Sequence, residues 1–263
     1  MITIKDKGKY KVARCTTTKK EQCVVVIADA HCGAPTFNEE VFKNVVKYAV
    51  DNDALVMLLG DLIENATRTS VGSAVYEQLM PAKDQIDKIV ELLKPIPSKN
   101  YIGGVTSNHE DRTMKASGVD LMKIICEKLD CPYFDKELFA IITKERESAY
   151  TIYGTHSQLT SSTIGGEYNT IENKWFKMID ADIVCKAHSH SLGLSSAYQS
   201  LCIDSSNVNV SMKERWIMLA GNYLERQNSY AASIPVAPKP IGTVAMWLDM
   251  RSGHKDVKGI FVK

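Results

Sequence analysis

The strongest constraint in this chain is a repeated pattern: a short apolar run that closes on polar residues able to bind metal. It occurs in "QCVVVIADAH" (22–31), "ALVMLLGDL" (54–62) and "YIGGVTSNHE" (101–110). Segments with helical spacing lie between these runs. "FNEEVFKNVVKYAV" (37–50) reads as a helix, with Asn38 as N-cap before two glutamates in the first turn. Val71 to Leu93 reads as one long helix stopped by the prolines of "KPIPSKN", and "GVDLMKIICEKL" (118–129) as another. Continuous apolar strands separated by helices call for a sheet covered on both faces.

The second half changes character. "LFAIITKERESAYTIYGTH" (138–156) reads as a hairpin, and "IENKWFKMIDADIVCKAHSH" (171–190) as helix then strand. Three more extended segments follow, over 195–221, 242–252 and 255–263. No linker, repeat or low-complexity run divides the chain. The expected architecture is α/β, with two packed mixed β-sheets flanked by helices in one domain over 1–263. A hydrophobic content of 44% in 263 residues suffices for such a core.

Charge and cysteine usage exclude several classes. A net charge of +1 is no general invitation to nucleic acid or membrane, although a local basic patch is compatible with it. No apolar run reaches the ~18–20 residues of a membrane span. The N-terminus "MITIKDKGKYKVARC" is charged and lacks a signal-peptide core. Seven scattered cysteines without a C-x-x-C suit reduced thiols in a cytoplasm. Cys23, Cys126, Cys185 and Cys202 fall in apolar stretches, as small core residues do.

The polar strand ends carry the chemistry. The first gives Asp29 and His31; the second Asp61, Glu64 and Asn65; the third Asn108, His109, Glu110 and Asp111. "SAYTIYGTH" ends at His156, and "ADIVCKAHSH" at His188 and His190. Five of the six histidines lie in these clusters; His254, in "RSGHKD", reads as a solvated turn residue. Ligands of open α/β sheets bind at the carboxyl ends of strands. Each piece alone has a plainer explanation: a turn, a helix cap, a surface histidine. Their joint occurrence after five apolar runs does not. The H-x-H pair is telling: in an extended segment His188 and His190 share a face, with Cα atoms ~6.5–7 Å apart.

The ordered set "DAH", "GDLIE", "SNHE", "GTH" and "AHSH", spanning 29–190, resembles the calcineurin-like metallophosphoesterases. The run "GDLIENATRTSVGSAVYEQ" with "SNHEDR" downstream is similar to bacteriophage-encoded members. The chain departs from the family pattern in three places: Glu64 stands where Asp or Asn is usual, and Ser107 and Ala187 replace glycines. Both replacements are small and fit the turns if φ stays negative.

The resemblance implies an α-β-β-α sandwich and two divalent ions, Mn foremost, with Fe, Zn, Co or Ni also suited to mixed imidazole and oxygen donors. It implies Asp29, His31, Asp61 and His190 on one ion, and Asp61, Asn108, His156 and His188 on the other, with Asp61 bridging. Phosphate-ester hydrolysis is the implied reaction, with a hydroxide held between the ions as nucleophile. His109 is the implied general acid, oriented by Asp61 or another carboxylate. Arg68 and Arg112 each closely follow a ligand cluster and are candidate phosphate clamps; solvated surface arginines are the plainer alternative. "SQLTSSTIGGEYN", after His156, reads as a mobile loop over the site.

The expected substrate is a phosphodiester, with nucleic acid or a nucleotide among the candidates, because the histidine pair ending at His190 resembles the diesterase and nuclease branches. A phosphomonoesterase and a non-catalytic binding module on the same fold are the alternatives. Retention of all seven ligand positions and His109 argues against the module. Native metals, natural substrate and oligomeric state stay open.

Overall fold

The structure, a computed structural model, describes residues 1–68, 70, 74–144, 147–204, 209–225, 238–251 and 255–263. His254 and the start of the expected helix at Val71 lie outside them. Twelve strands form two mixed sheets among the described residues. The larger runs β1-β2-β6-β7-β8-β10-β9, from β1 (Ile2–Lys7), β2 (Tyr10–Thr17), β6 (Glu137–Lys144), β7 (Glu147–His156), β8 (Ile183–Ala187), β9 (Leu192–Asp204) and β10 (Asn209–Ala220). The smaller runs β12-β11-β3-β4-β5, from β3 (Glu21–Ile27), β4 (Leu55–Leu58), β5 (Tyr101–Gly104), β11 (Thr243–Asp249) and β12 (Val257–Val262). β3, β4 and β5 are parallel neighbours, as their continuous apolar runs required.

Alternate residues of β3 enter different cores. Val24 and Val26 pack between the sheets, against Met57, Ile152, Cys185 and Met218. Cys23, Val25 and Ile27 pack on the outer side, in one cluster with Phe42 of α1 (Glu39–Asp51), Ile89 of α3 (Ala82–Leu93) and Ile125 of α5 (Leu121–Leu129). The expected helix N-cap is present: the Asn38 side chain accepts from the Val41 amide. Cys23, Cys126 and Cys185 are buried free thiols; the Cys202 side chain lies outside what the structure describes.

Four expectations are corrected. The long helix ending at Leu93 is broken into α2 (Ala74–Glu77) and α3. Pro81, without an amide hydrogen, takes the N-cap position of α3 at ψ 158° instead of sitting mid-helix. The third strand stops at Gly104, and "NHED" opens a helix, α4 (Asn108–Ser117), capped by Ser107. The stretch after His156 is not all loop: α6 (Ile164–Thr170) starts at a Thr163 cap and continues through a π-helical turn, Ile171–Trp175, into α7 (Phe176–Met178). The fourth is an omission. The charged N-terminus forms the β1–β2 hairpin, which turns at Gly8 (φ 73°) and extends the larger sheet.

The helix over 164–178 is pinned to β8 by an ion pair that water does not reach. Lys186 Nζ lies 2.5 Å from Glu167 Oε2, with both side chains fully buried, and 6.0 Å from the centre of the Trp175 ring. Removing one partner strands the other charge, a loss of about 3–5 kcal/mol. Lys186→Ala is therefore expected to destabilise the fold by that amount in chemical denaturation, and the joint change Lys186→Met with Glu167→Leu far less. A loss for Lys186→Ala within the surface-substitution range of about 0.5 kcal/mol would show that the pair holds nothing in place.

Candidate metal centre

Every strand end singled out in the sequence arrives at one place. β3, β4, β7 and β8 point their carboxyl ends there, and the N-terminus of α4 closes it. Backbone bonds tie the ends together: the Asp29 amide donates to the Gly60 carbonyl (3.1 Å), and the His31 amide to the Asp61 carbonyl (2.9 Å). Gly60 cannot carry a side chain, because a Cβ would lie 2.6 Å from that of Ser107, and its φ is 73°.

The candidate ligand positions share an unusual backbone. Asp29, His31, Asp61, His188 and His190 have φ between 48° and 83°, and they are five of the nine non-glycine residues with positive φ among those described. This left-handed conformation costs an L-residue about 1–2 kcal/mol. Here it turns each side chain off its strand end and inward. Ser107, by contrast, is extended at φ −133°, so its replacement of glycine is accommodated.

Two groups of donor atoms result, each within 4.8 Å: Asp29, His31 and His190; and Asp61, His156 and His188. His31 Nε2 is 3.3 Å from His190 Nε2, and His190 Nε2 is 3.4 Å from Asp29 Oδ1. In the second group His156 Nε2 is 3.1 Å from His188 Nδ1. Asp61 Oδ2 lies between the groups, 3.3 Å from His156 Nε2 and 3.7 Å from His31 Nε2. The remote nitrogens are already committed. His156 Nδ1 meets the Leu59 carbonyl at 2.7 Å, and His31 Nδ1 meets Glu64 Oε2 at 3.1 Å. With those as donors, the facing nitrogens aim at a common space and offer lone pairs to it once their protons are displaced, as metal-ligating histidines do.

Two buried acceptors fit the same reading. Asn108 Oδ1 has no hydrogen-bond partner, and neither has Asp29 Oδ1, which faces His190 Nε2 at 3.4 Å without a hydrogen bond, although the other Asp29 oxygen accepts from the His188 amide at 3.0 Å. Orphaned buried oxygens are costly unless something positive meets them. The donor set present here, imidazoles, carboxylates and a carboxamide oxygen, fits divalent cations.

Electrostatics point the same way. Burial works against a charge on His31 and His156. The Glu64 hydrogen bond and the Asp61, Glu64 and Asp29 charges outweigh it at His31, and the Asp61 charge and hydrogen bond with Asp29 outweigh it at His156, so both imidazoles rise to about 9. Burial also opposes ionisation of Asp61, but the charge and hydrogen bond of His156, with the charge of His31, hold it well below the usual carboxylate range. A potential that retains a proton this strongly is one that attracts a cation.

Glu64, the departure from the family pattern, thus has a place: its carboxylate holds His31. With His31 and His109 it forms a third possible ligand group. A cation there would compete with the His31–Glu64 bond and with the bond between His109 Nδ1 and the Glu64 carbonyl, 2.6 Å long. The other two groups ask for no such exchange.

His109 stands beside the cluster, its Nε2 3.9 Å from Asp61 Oδ2. Burial, with smaller contributions from His31 and Arg112, pushes its imidazole down to about 4 despite Asp61 and Glu64 nearby. Arg112 lies against the ring, with Nη1 and Nη2 3.1 and 3.0 Å from its nitrogens, and Nη1 also donates to the Glu64 carbonyl (3.1 Å). Arg68 is exposed and makes no bond to the cluster among the described residues.

Three residues take positioning roles that the sequence does not assign them. The Ser107 hydroxyl accepts from the Asp61 amide (2.9 Å) and the His109 amide (3.2 Å), and contacts the Asp61 and Glu110 carboxylates. Glu110, fully buried, accepts from the Asp61 and Leu62 amides at 3.2 and 2.9 Å. Asn222 Nδ2 donates to the His190 carbonyl (3.1 Å). A signal for Asn222 is present: "AGNYL" closes β10 as "GDL" closes β4.

No family profile matches the chain, and no curated protein matches it in sequence. Among solved structures it is similar to a predicted phosphoesterase from Streptococcus pneumoniae, at 12% identity over 92% of this chain and 90% of that one, with a TM-score of 0.39. A Vps29 variant from Entamoeba histolytica is 12% identical over 92% of this chain and 99% of that one, with a TM-score of 0.42. A metallophosphoesterase from Sphaerobacter thermophilus is 13% identical over 92% and 90%, with a TM-score of 0.36.

Proposed function

We propose that the chain is a calcineurin-like metallophosphoesterase that hydrolyses phosphodiesters with two divalent ions. One observation carries this reading: Asp61 Oδ2 lies within 3.7 Å of an imidazole nitrogen from each of two ligand groups. A single carboxylate placed so serves two cations. Asp29, His31 and His190 would complete one ion's ligands, and Asn108, His156 and His188 the other's, with Asp61 common to both. Bound divalent ions supply an activated water and neutralise the phosphoryl charge.

The chain's own groups do the rest. Glu64 and the Leu59 carbonyl keep His31 and His156 turned inward. Glu110 and Ser107 fix the backbone that presents Asp61. His109 is assigned to the leaving oxygen. Its imidazole is neutral in the free chain, and an anionic ester beside it raises its proton affinity when a proton is to be delivered. The diester reading draws support from Arg112, whose guanidinium is engaged by His109 and the Glu64 carbonyl rather than free to grip the extra charge of a monoester.

Elemental analysis after gentle Mn loading is expected to give two ions per folded chain. The loaded protein is expected to turn over bis-nitrophenyl phosphate faster than the monoester. A ratio that never exceeds one ion sinks the dinuclear reading. Turnover of the monoester alone transfers the protein to the phosphomonoesterases, and a loaded protein inert to both esters favours a binding module.

A further inference from the structure

The net charge of +1 conceals a sharp asymmetry. Residues 1–20 hold seven lysines and arginines against one aspartate. These residues contain the β1–β2 hairpin, which forms one edge of the larger sheet. The helix over 164–178 packs on the outer face of that sheet near Tyr153, Val184 and Ile217, and Phe139 of β6 lies at the margin of that contact. Beyond it no helix covers the face among the described residues. Tyr10 is 57% exposed and stands edge-on to Phe139, with ring centres 5.6 Å apart. The register puts Lys5 opposite Val12, and Arg14 beside Ile141, on the same outer face as Tyr10.

At the end of this face nearest the metal centre the surface folds into a groove of about 260 Å³. Lys9, Tyr10 and Lys11 form one wall, Tyr133 and Lys136 the other, and Phe139 lies between; Asp135 and Glu137 also line it, their carboxylates engaged by the Tyr133 and Tyr153 hydroxyls at 3.4 and 2.6 Å. The second wall is joined to the site. The Thr106 amide donates to the Asp135 carbonyl (2.6 Å), two residues before Asn108. Lys136 Nζ is 3.8 Å from Asp111 of α4, and Glu137 pairs with Thr155, the residue before His156. The groove's second wall is thus fixed to the chain segments that carry Asn108 and His156.

We infer that this groove binds single-stranded nucleic acid, with a base stacked on Tyr10 and neighbouring phosphates held by Lys9, Lys11 and Lys136. Exposed aromatic rings interleaved with lysines are what a single strand needs: a π-face for bases and cations for the backbone. A duplex would offer its phosphates but no free base face to Tyr10. The distance sets substrate length. β2 lies two strand spacings from β7, ~10 Å, so a strand with its scissile phosphate at the cluster must continue past that phosphate to reach Tyr10. This deepens the diesterase reading and rests on it for the direction of the strand, but binding itself is separable from catalysis.

The test measures anisotropy of a labelled 12-nucleotide single-stranded DNA in chelator, with bis-nitrophenyl phosphate hydrolysis assayed separately in Mn. The wild type is expected to bind the strand, and Tyr10→Ala to weaken it about 5- to 150-fold, the range of one lost base stack. Lys9→Glu with Lys11→Glu is expected to weaken it and flatten its dependence on log salt by about 0.7 for each phosphate no longer held. The nitrophenyl diester, too small to reach β2, is the control, and thermal melting confirms the variants' fold. No strand binding by the wild type, undiminished binding by Tyr10→Ala, or equally tight Tyr10-independent binding of duplex each overturns the inference. Strand binding that depends on Tyr10 upholds it even if the diester is not cleaved, and that second outcome alone defeats the diesterase reading.

Discussion

Asp61→Asn is expected to weaken both cation sites at once, whereas His190→Ala weakens one. The amide keeps the shape of the carboxylate and removes its charge. At an effective dielectric of ~20 a unit charge ~4 Å away is worth about 4 kcal/mol, roughly a thousandfold in affinity. Asp61 Oδ2 faces His31 on one side and His156 on the other, so the loss falls on both groups. Calorimetric titration with Mn should resolve two weakened steps for Asp61→Asn and one for His190→Ala. The metal-free variant offers an independent check. Asp61 helps lift His31 and His156 to about 9, so both imidazoles should titrate lower by NMR once its charge is gone. Equal patterns for the two variants would undo the assignment of Asp61 as the shared ligand.

His109→Ala should load metal almost normally and lose ~10²–10⁴ in kcat on alkyl or ribose diesters, the usual worth of a general acid. His109 follows Asn108 on the first turn of α4, where successive side chains diverge, and its ring leans on Arg112 and the Glu64 carbonyl. Its loss leaves both main ligand groups complete. A nitrophenolate leaves with little help, so the variant should be hurt less on nitrophenyl esters than on esters of basic alcohols. Measuring kcat on both, with metal content read from the same samples, separates the possibilities. Metal loss in the variant makes His109 a ligand, and an equal rate loss on both leaving groups makes it an electrostatic residue.

What could be read from the sequence followed how strongly each residue's environment is dictated by burial. β3 and β4 announced themselves because both faces of each strand are packed, and their polar ends stood out by contrast. The N-terminal hairpin did not, because its outer face is open and its residues are mostly charged. α4 was legible in principle: "SNHE" is a serine followed three residues later by glutamate, the signature of a capping box. Glu110 does not close that box. It turns to the Asp61 and Leu62 amides instead, so the site has taken over a residue that local structure would otherwise use. α6 was hidden by Gly165 and Gly166, which disfavour a helix; tertiary contacts, the Glu167–Lys186 pair among them, override that preference. The polar strand ends stood out in the sequence, and the resemblance to the metallophosphoesterases is what marked them as candidate ligands. The hydrogen bonds that aim them, from Ser107, Glu110 and Asn222, come from residues brought together only by folding.

The left-handed backbone at Asp29, His31, Asp61, His188 and His190 bears on how such a protein can change over generations. At each of these positions a glycine would relax the chain and delete a ligand in one step. Drift under selection for a sturdy fold alone would therefore hollow out the centre first and leave the sheets intact. A descendant that had lost its chemistry would carry glycines at these five places long before its core was disturbed. On the proposed reading, the aspartates and histidines at these five places are the letters that would separate a metal-binding version of this architecture from one that has lost the centre.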